Sequence, residues 1–197
     1  MATAQWVTLG VMAAGVFWSV GAYNRLVRLR NEIGNAYAQI DVQLKRRHDL
    51  IPNLVEVARR YMAHEAQTLE VVTAARNQAT AALSLARGKS TVAGPIKSLG
   101  MAEGVLDHAM ERLMAVMENY PELKADQTLR ELSEELTSTE NKVAFARQLF
   151  NDQVLAFNNA AQEFPTNLLS GLFNFTPAAM LESTRAPAER EPVKVQF

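Results

Sequence analysis

The first 24 residues contain no Asp, Glu, Lys or Arg, and Trp6 to Ala22 is almost wholly apolar. A hydrocarbon layer roughly 30 Å thick needs about 20 such residues to be crossed by a helix. The stretch predicts a transmembrane anchor over residues 1–23. Trp6 at one end, and Trp18 with Tyr23 at the other, suit the amphipathic belts of the two interfaces. No basic residue precedes the run, whereas Arg25, Arg28 and Arg30 follow it directly. By the positive-inside rule these arginines place the following body in the cytoplasm and the short N-terminus outside. The competing reading is a signal peptide cleaved after Val20-Gly21-Ala22. That reading wants a basic n-region, and Met1 to Gln5 offers none.

The rest of the chain has a helical rhythm. Hydrophobic residues make up 48% of the sequence, enough for a packed core, and 9 Gly and 7 Pro in 197 residues do not suggest disorder. Near the C-terminus, Leu129, Leu132, Leu136, Thr139, Val143, Ala146, Phe150, Gln153, Phe157, Ala160 and Phe164 alternate steps of three and four. This predicts a helix with a coiled-coil-like seam, capped by Asp126 and stopped by Pro165. A first helix of the body runs on from the membrane and is expected to end near Arg47. Lys45, Arg46 and Arg47 would favour the dipole of its last turn. Asp49 would then cap a second helix, with Pro52 in its first turn, continuing to about Arg87. Gly88 to Gly94 reads as a loop, Pro95 opens a third helix and Pro121 ends it.

The fold class is therefore all-α: an N-terminal transmembrane helix followed by an elongated antiparallel, up-down-up-down bundle. The bundle is expected over residues 24–176, with a flexible tail over 177–197. The helix lengths raise a conflict. A first helix of about 36 Å and a second of about 57 Å, both upright, would drive the second into the bilayer. A hinge at Gly21 that tilts the bundle, or a break in the Ala-rich part of the second helix, would relieve it; the tilt is preferred. Leu168, Leu169, Leu172, Phe173 and Phe175 form an apolar cluster around Gly171. It is expected to fold back on the bundle end, with a membrane-surface contact as the alternative.

Residues that would carry chemistry are sparse. There is no Cys, which removes disulfides, thiolate metal sites and Cys nucleophiles. His64-Glu65 opens like a zinc-protease helix motif, but Thr68 stands where the second His would be. The three His residues are preceded at Glu-x-x-His spacing by Lys45, Tyr61 and Val105, so the di-iron motif does not occur. No catalytic residue, cofactor site or metal site is expected. Net charge is −1, which offers no field for nucleic acid. The charges are nonetheless unevenly placed. Residues 24–47 are basic and residues 111–140 acidic, which reads either as solvated helix faces or as self-association between a basic and an acidic end.

Tyr23 to Val27, Arg30-Asn31, Ile40 to Arg47, Asp49 to Val55, His64-Glu65 and Thr68 to Glu70 together resemble the LemA family. So do Tyr120 to Ala125, Thr139 to Lys142, Ala146-Arg147, Asn151, Phe157-Asn158 and Phe164-Pro165. The resemblance implies a bacterial protein of the inner membrane, anchored by one N-terminal helix, with an elongated helical bundle and no attached catalytic activity. Some family members are encoded near membrane metalloproteases. The functional expectation is a non-enzymatic scaffold, bound to the bilayer by one span, that forms a homo-oligomer and shapes or organises the membrane. The alternative is an adaptor that docks a membrane protease through a turn at Lys45–Asn53. Lys45, Arg46, Arg47, Asp49 and Asn53 are the candidate interaction surface. That stretch is denser in charge than a turn requires.

Overall fold

The computed structural model describes residues 2–182 and is all-helical over them. The helices are α1 (Ala2–Tyr61), α2 (Ala66–Ala86), α3 (Ala93–Met117), α4 (Pro121–Ala125), α5 (Gln127–Gln162) and α6 (Thr166–Leu172). α1 runs up, α2 returns, α3 runs up again, and α5 returns alongside α1. α1 packs chiefly along α5, and α2 along α3.

The expected turn at Lys45–Asn53 does not exist. α1 is helical through Gly21, Arg47, Asp49 and Pro52, and the chain turns only at residues 62–65. The reason lies in the buried face. Ile33, Tyr37, Ile40, Leu44, Arg47, Ile51, Leu54 and Ala58 follow steps of three and four without a change of phase, and all eight are buried. A turn at Arg47 would have broken that stripe, and its burial outweighs the local preference of Asp49 and Pro52 for a helix start.

The length conflict disappears with the turn. Neither a hinge at Gly21 nor a break in the Ala-rich part of α2 is present. α2 has 21 residues and ends beside the middle of α1, where Arg87 Nε donates to Asp41 Oδ1 at 2.9 Å. Asp41 lies about 27 Å along the helix from Tyr23, so α2 stops well short of the span. Gly88, with φ +68°, then takes the left-handed conformation that leads into the α2–α3 loop.

α5 matches α1 end to end. At the far end Tyr61 Oη donates to Asp126 Oδ2 at 2.9 Å, and at the near end Arg25 pairs with Glu163 at 3.5 Å. Residues 4–24 are left uncovered: the side chains there are exposed, apart from Ser19 and Ala22, which are half-buried. They span about 32 Å as helix, close to the thickness of a hydrocarbon layer. One N-terminal apolar helix of this length fits a single-pass membrane protein.

The predicted stripe on α5 faces α1 within the same chain. Leu129, Leu136, Thr139, Val143, Ala146, Phe150, Phe157 and Ala160 are buried, and Phe150 meets Tyr37 edge-on with centroids 6.1 Å apart. Val154 is buried beside half-buried Gln153. Phe164 is 81% exposed because the helix has already ended at Gln162. Residues 177–182 are packed on α5. Asn158 bonds both ways with the Ala178 backbone, as Asn151 does with that of Leu181. The remainder of the expected tail, 183–197, lies outside the described residues.

Asp126 caps α5, its Oδ1 accepting from Leu129 N at 3.0 Å. That backbone bond, followed by the Tyr61 hydroxyl, holds its carboxyl below the usual value. A carboxyl with a lowered folded pKa stabilises the fold above its unfolded value, near 3.9, and ceases to do so as pH falls through the folded one. Asp126→Asn retains a capping oxygen but does not titrate. The variant is therefore expected to melt below wild type at pH 7. The gap should close on acidification past that window, as followed by circular dichroism in detergent.

Candidate functional site

The Lys45–Asn53 stretch divides between two environments because it is helical. Lys45, Asp49 and Asn53, each four residues apart, form an exposed stripe on α1. Arg46 is exposed on a flank facing α5, where its Nε donates to Glu135 Oε1 at 3.1 Å. Arg47 points inward and is 3% exposed. It does not belong to a surface.

Arg47 is the hub of a buried polar centre. Its Nη1 donates to Glu103 Oε2 at 3.1 Å, its Nη2 donates to Asp107, and Glu140 Oε1 lies 3.6 Å from Nη2. Burial works against the guanidinium charge, but Asp107, Glu103 and Glu140 together outweigh it and raise the pKa above its ordinary value. His48, 2% exposed, sets Nε2 2.8 Å from Glu103 Oε1 and Nδ1 3.3 Å from Thr80 Oγ1. Nearby, Tyr37 is pushed up to about 12, first by burial and then by Asp41, so its hydroxyl stays protonated at neutral pH.

Pro52 completes this centre from a distance. It has no N–H to give the carbonyl four residues earlier, which belongs to His48. Arg76 Nε donates to that carbonyl at 2.8 Å, and its guanidinium lies 3.8 Å from Asp49. The charges and hydrogen bonds therefore join α1 to α2, α3 and α5. Cations meet carboxylates and a donor meets an orphaned carbonyl, which is the chemistry of a tie between helices.

Glu103, Asp107, Thr80 and Arg76 were not among the sequence-derived candidates. Glu103 had a signal. Leu99, Glu103, Leu106, Met110 and Leu113 follow the same three-four spacing, so an acidic residue sits on the buried face of α3. A buried carboxylate demands a cation, and Arg47 is the cation out of place on α1.

The juxtamembrane arginines lie where the exposed apolar segment ends. Arg25 pairs with Glu163, Arg28 lies 3.8 Å from Glu32, and Arg30 is exposed. His64 is exposed, and His108 is exposed beside Glu111 at 3.4 Å. Among the described residues, no three His, Asp or Glu side chains converge on a position that could hold a metal. On the α1–α5 surface a groove of about 630 Å³ is lined by Gln39, Gln43, Asn141, Phe145 and Leu149 among others, with Phe145 72% exposed.

Sequence comparison adds family context to this geometry. The LemA family model matches residues 36–197. Magnetosome protein MamQ 2 of Paramagnetospirillum magneticum is 25% identical, over 87% of this chain and 68% of its own length. Magnetosome protein MamQ of Magnetospirillum gryphiswaldense is 24% identical, over 78% of this chain and 62% of its own length. Protein LemA of Metamycoplasma hominis is 26% identical, over 88% of this chain and 76% of its own length. None of these relatives carries the name of an enzyme. With a match over more than four-fifths of its residues, beginning within the polar stretch of α1, the chain belongs to the LemA family.

Proposed function

We propose that this protein is a non-enzymatic scaffold of the bacterial inner membrane. Its N-terminus lies outside, its bundle stands in the cytoplasm, and copies associate laterally to organise or shape the bilayer. The basic and acidic segments are already partly paired within one chain. Arg46 and Arg47 meet Glu135 and Glu140 within one chain, and Arg25 meets Glu163. The observation that carries the reading is the α1–α5 groove, where exposed Phe145 and Leu149 stand among amide side chains. Gln43 Oε1 is buried there without a hydrogen-bond partner among the described residues. Aromatic residues are enriched at interface centres, and an anchored chain meets its copies in a plane, at raised effective concentration. Likeness to relatives named as magnetosome proteins rather than as enzymes agrees with a non-catalytic role.

Native mass spectrometry of the full chain in mild detergent or nanodiscs is expected to show oligomers, and Phe145→Glu is expected to shift them towards monomer. A uniform monomer across concentrations would refute the proposal. The alternative reading is an adaptor that docks a membrane metalloprotease, and it draws on the exposed stripe of Lys45, Asp49 and Asn53. In that case a protease would co-purify with the monomer and be lost on charge reversal of Lys45.

A further inference from the structure

The chain contains a second uncharged stretch. From Phe164 to Leu181 there is no Asp, Glu, Lys or Arg, and Glu163 and Glu182 bound it. It includes α6, and the fold sets it beside the exit of the apolar N-terminal segment. Tyr23 packs against Phe173 with ring centroids 4.9 Å apart, and against Phe175 at 5.7 Å. Glu163, just before the stretch, pairs with Arg25. α6 is therefore level with the last turn of the span.

Only part of this cluster folds back on the bundle. Phe175 is buried and meets Phe157 edge-on at 6.3 Å, and Thr166, the first residue of α6, is buried. Phe164, Leu168, Leu172 and Phe173 are 81%, 67%, 76% and 52% exposed. Leu168 and Leu172 are one helical turn apart, on one face of α6. Phe173, next after α6, meets Tyr23, where the exposed apolar surface of α1 that includes Phe17 and Val20 ends.

We infer that α6 and its flanking phenylalanines are a second membrane contact, seated at the boundary between headgroups and acyl chains beside the spanning helix. Two observations select lipid over a second copy of the chain. Phe173 and Phe175 meet Tyr23, which sets α6 at the level where the span ends, and no charged side chain occurs in the 18 residues that carry it. With 7 residues α6 is about 10 Å long, too short to cross a layer roughly 30 Å thick, so its apolar face meets lipid only at the interface. Two attachments, the span and α6, would fix the tilt of the bundle, which a single helix leaves free to rotate. This inference rests on the reading of the N-terminal segment as a span.

The absence of Cys permits single-site labelling of the full chain. Leu168→Cys, Leu172→Cys, Phe17→Cys and Glu111→Cys variants would carry an environment-sensitive fluorophore in vesicles of phosphatidylcholine and phosphatidylglycerol. Their quenching would be compared for lipids spin-labelled high on the acyl chain and for aqueous iodide. The expected result is lipid quenching at Leu168 and Leu172 several-fold above that at Glu111, with iodide access reduced to match. Iodide access at both sites equal to that at Glu111, while Phe17 is quenched by lipid, would overturn the inference and leave the span intact. Protection from both quenchers would show that protein covers the face, and would also overturn it. If Phe17 itself escapes lipid quenching, the span reading falls and the inference falls with it.

Discussion

Arg47→Met is expected to lower the stability of the bundle by about 3–5 kcal/mol, the range for removing one partner of a buried ion pair. The size follows from what remains. Met fills much of the space, but the 3% exposed Glu103 then keeps a charge with only His48 beside it, and Asp107 and Glu140 lose a shared cation. Glu103→Gln in the same chain removes the buried carboxylate and leaves an amide able to bond His48. The double variant is therefore expected to recover part of the loss. Guanidinium denaturation of the full chain in detergent measures both quantities. A single variant within about 1 kcal/mol of wild type would show that the centre is hydrated rather than buried. The loss should also be uneven along the chain. Arg47 joins α1 to α3, whereas α1 and α5 retain their apolar contact through Tyr37, Phe150 and the rest of the stripe. Hydrogen exchange should therefore accelerate first in α2 and α3.

The way Arg47 was misplaced shows which parts of this fold a sequence displays. The uncharged N-terminal segment, the Asp126 cap and the α5 stripe were legible because each is local: a run, a side chain at a helix start, a repeated spacing. Asp49 and Pro52 are local signals too, and they pointed to a helix start that the structure lacks. The counter-evidence was the spacing from Ile40 through Leu44, Arg47, Ile51 and Leu54 to Ala58, which holds one phase only if Arg47 is admitted as a core position. A charged residue is not ordinarily admitted. It is admitted here because Glu103 and Asp107 arrive from α3, more than 50 residues away, and no local pattern in α1 announces them. The same cause limited the reading of the candidate surface. Lys45, Asp49 and Asn53 are exposed, but as one stripe of a continuous helix. The basic and acidic segments were read as solvated faces or as a surface for self-association, whereas Arg46–Glu135 and Arg47–Glu140 pair within one chain.

Pro52 and Arg76 are expected to be thermodynamically coupled, although neither side chain needs to touch the other. Arg76→Leu in the wild-type background removes the donor to the His48 carbonyl and is expected to cost about 1–3 kcal/mol, the penalty of a buried polar group left unsatisfied. Pro52→Ala restores a backbone N–H four residues after His48, and it lifts the cost of about 3 kcal/mol that proline imposes inside a helix. The single Pro52→Ala variant should therefore be more stable than wild type. In that background the carbonyl is already bonded, so Arg76→Leu should remove little beyond the partly exposed pair with Asp49, whose 3.8 Å separation is worth about 0–1 kcal/mol. The difference between the two losses is the coupling, and chemical denaturation of the four proteins in one detergent yields it. Equal losses in both backgrounds would mean that Arg76 acts through charge alone and that another donor serves the His48 carbonyl. A large coupling would explain how a proline persists inside a 60-residue helix: α2 supplies the hydrogen bond that α1 gives up, so the long helix is complete only when the bundle is assembled around it.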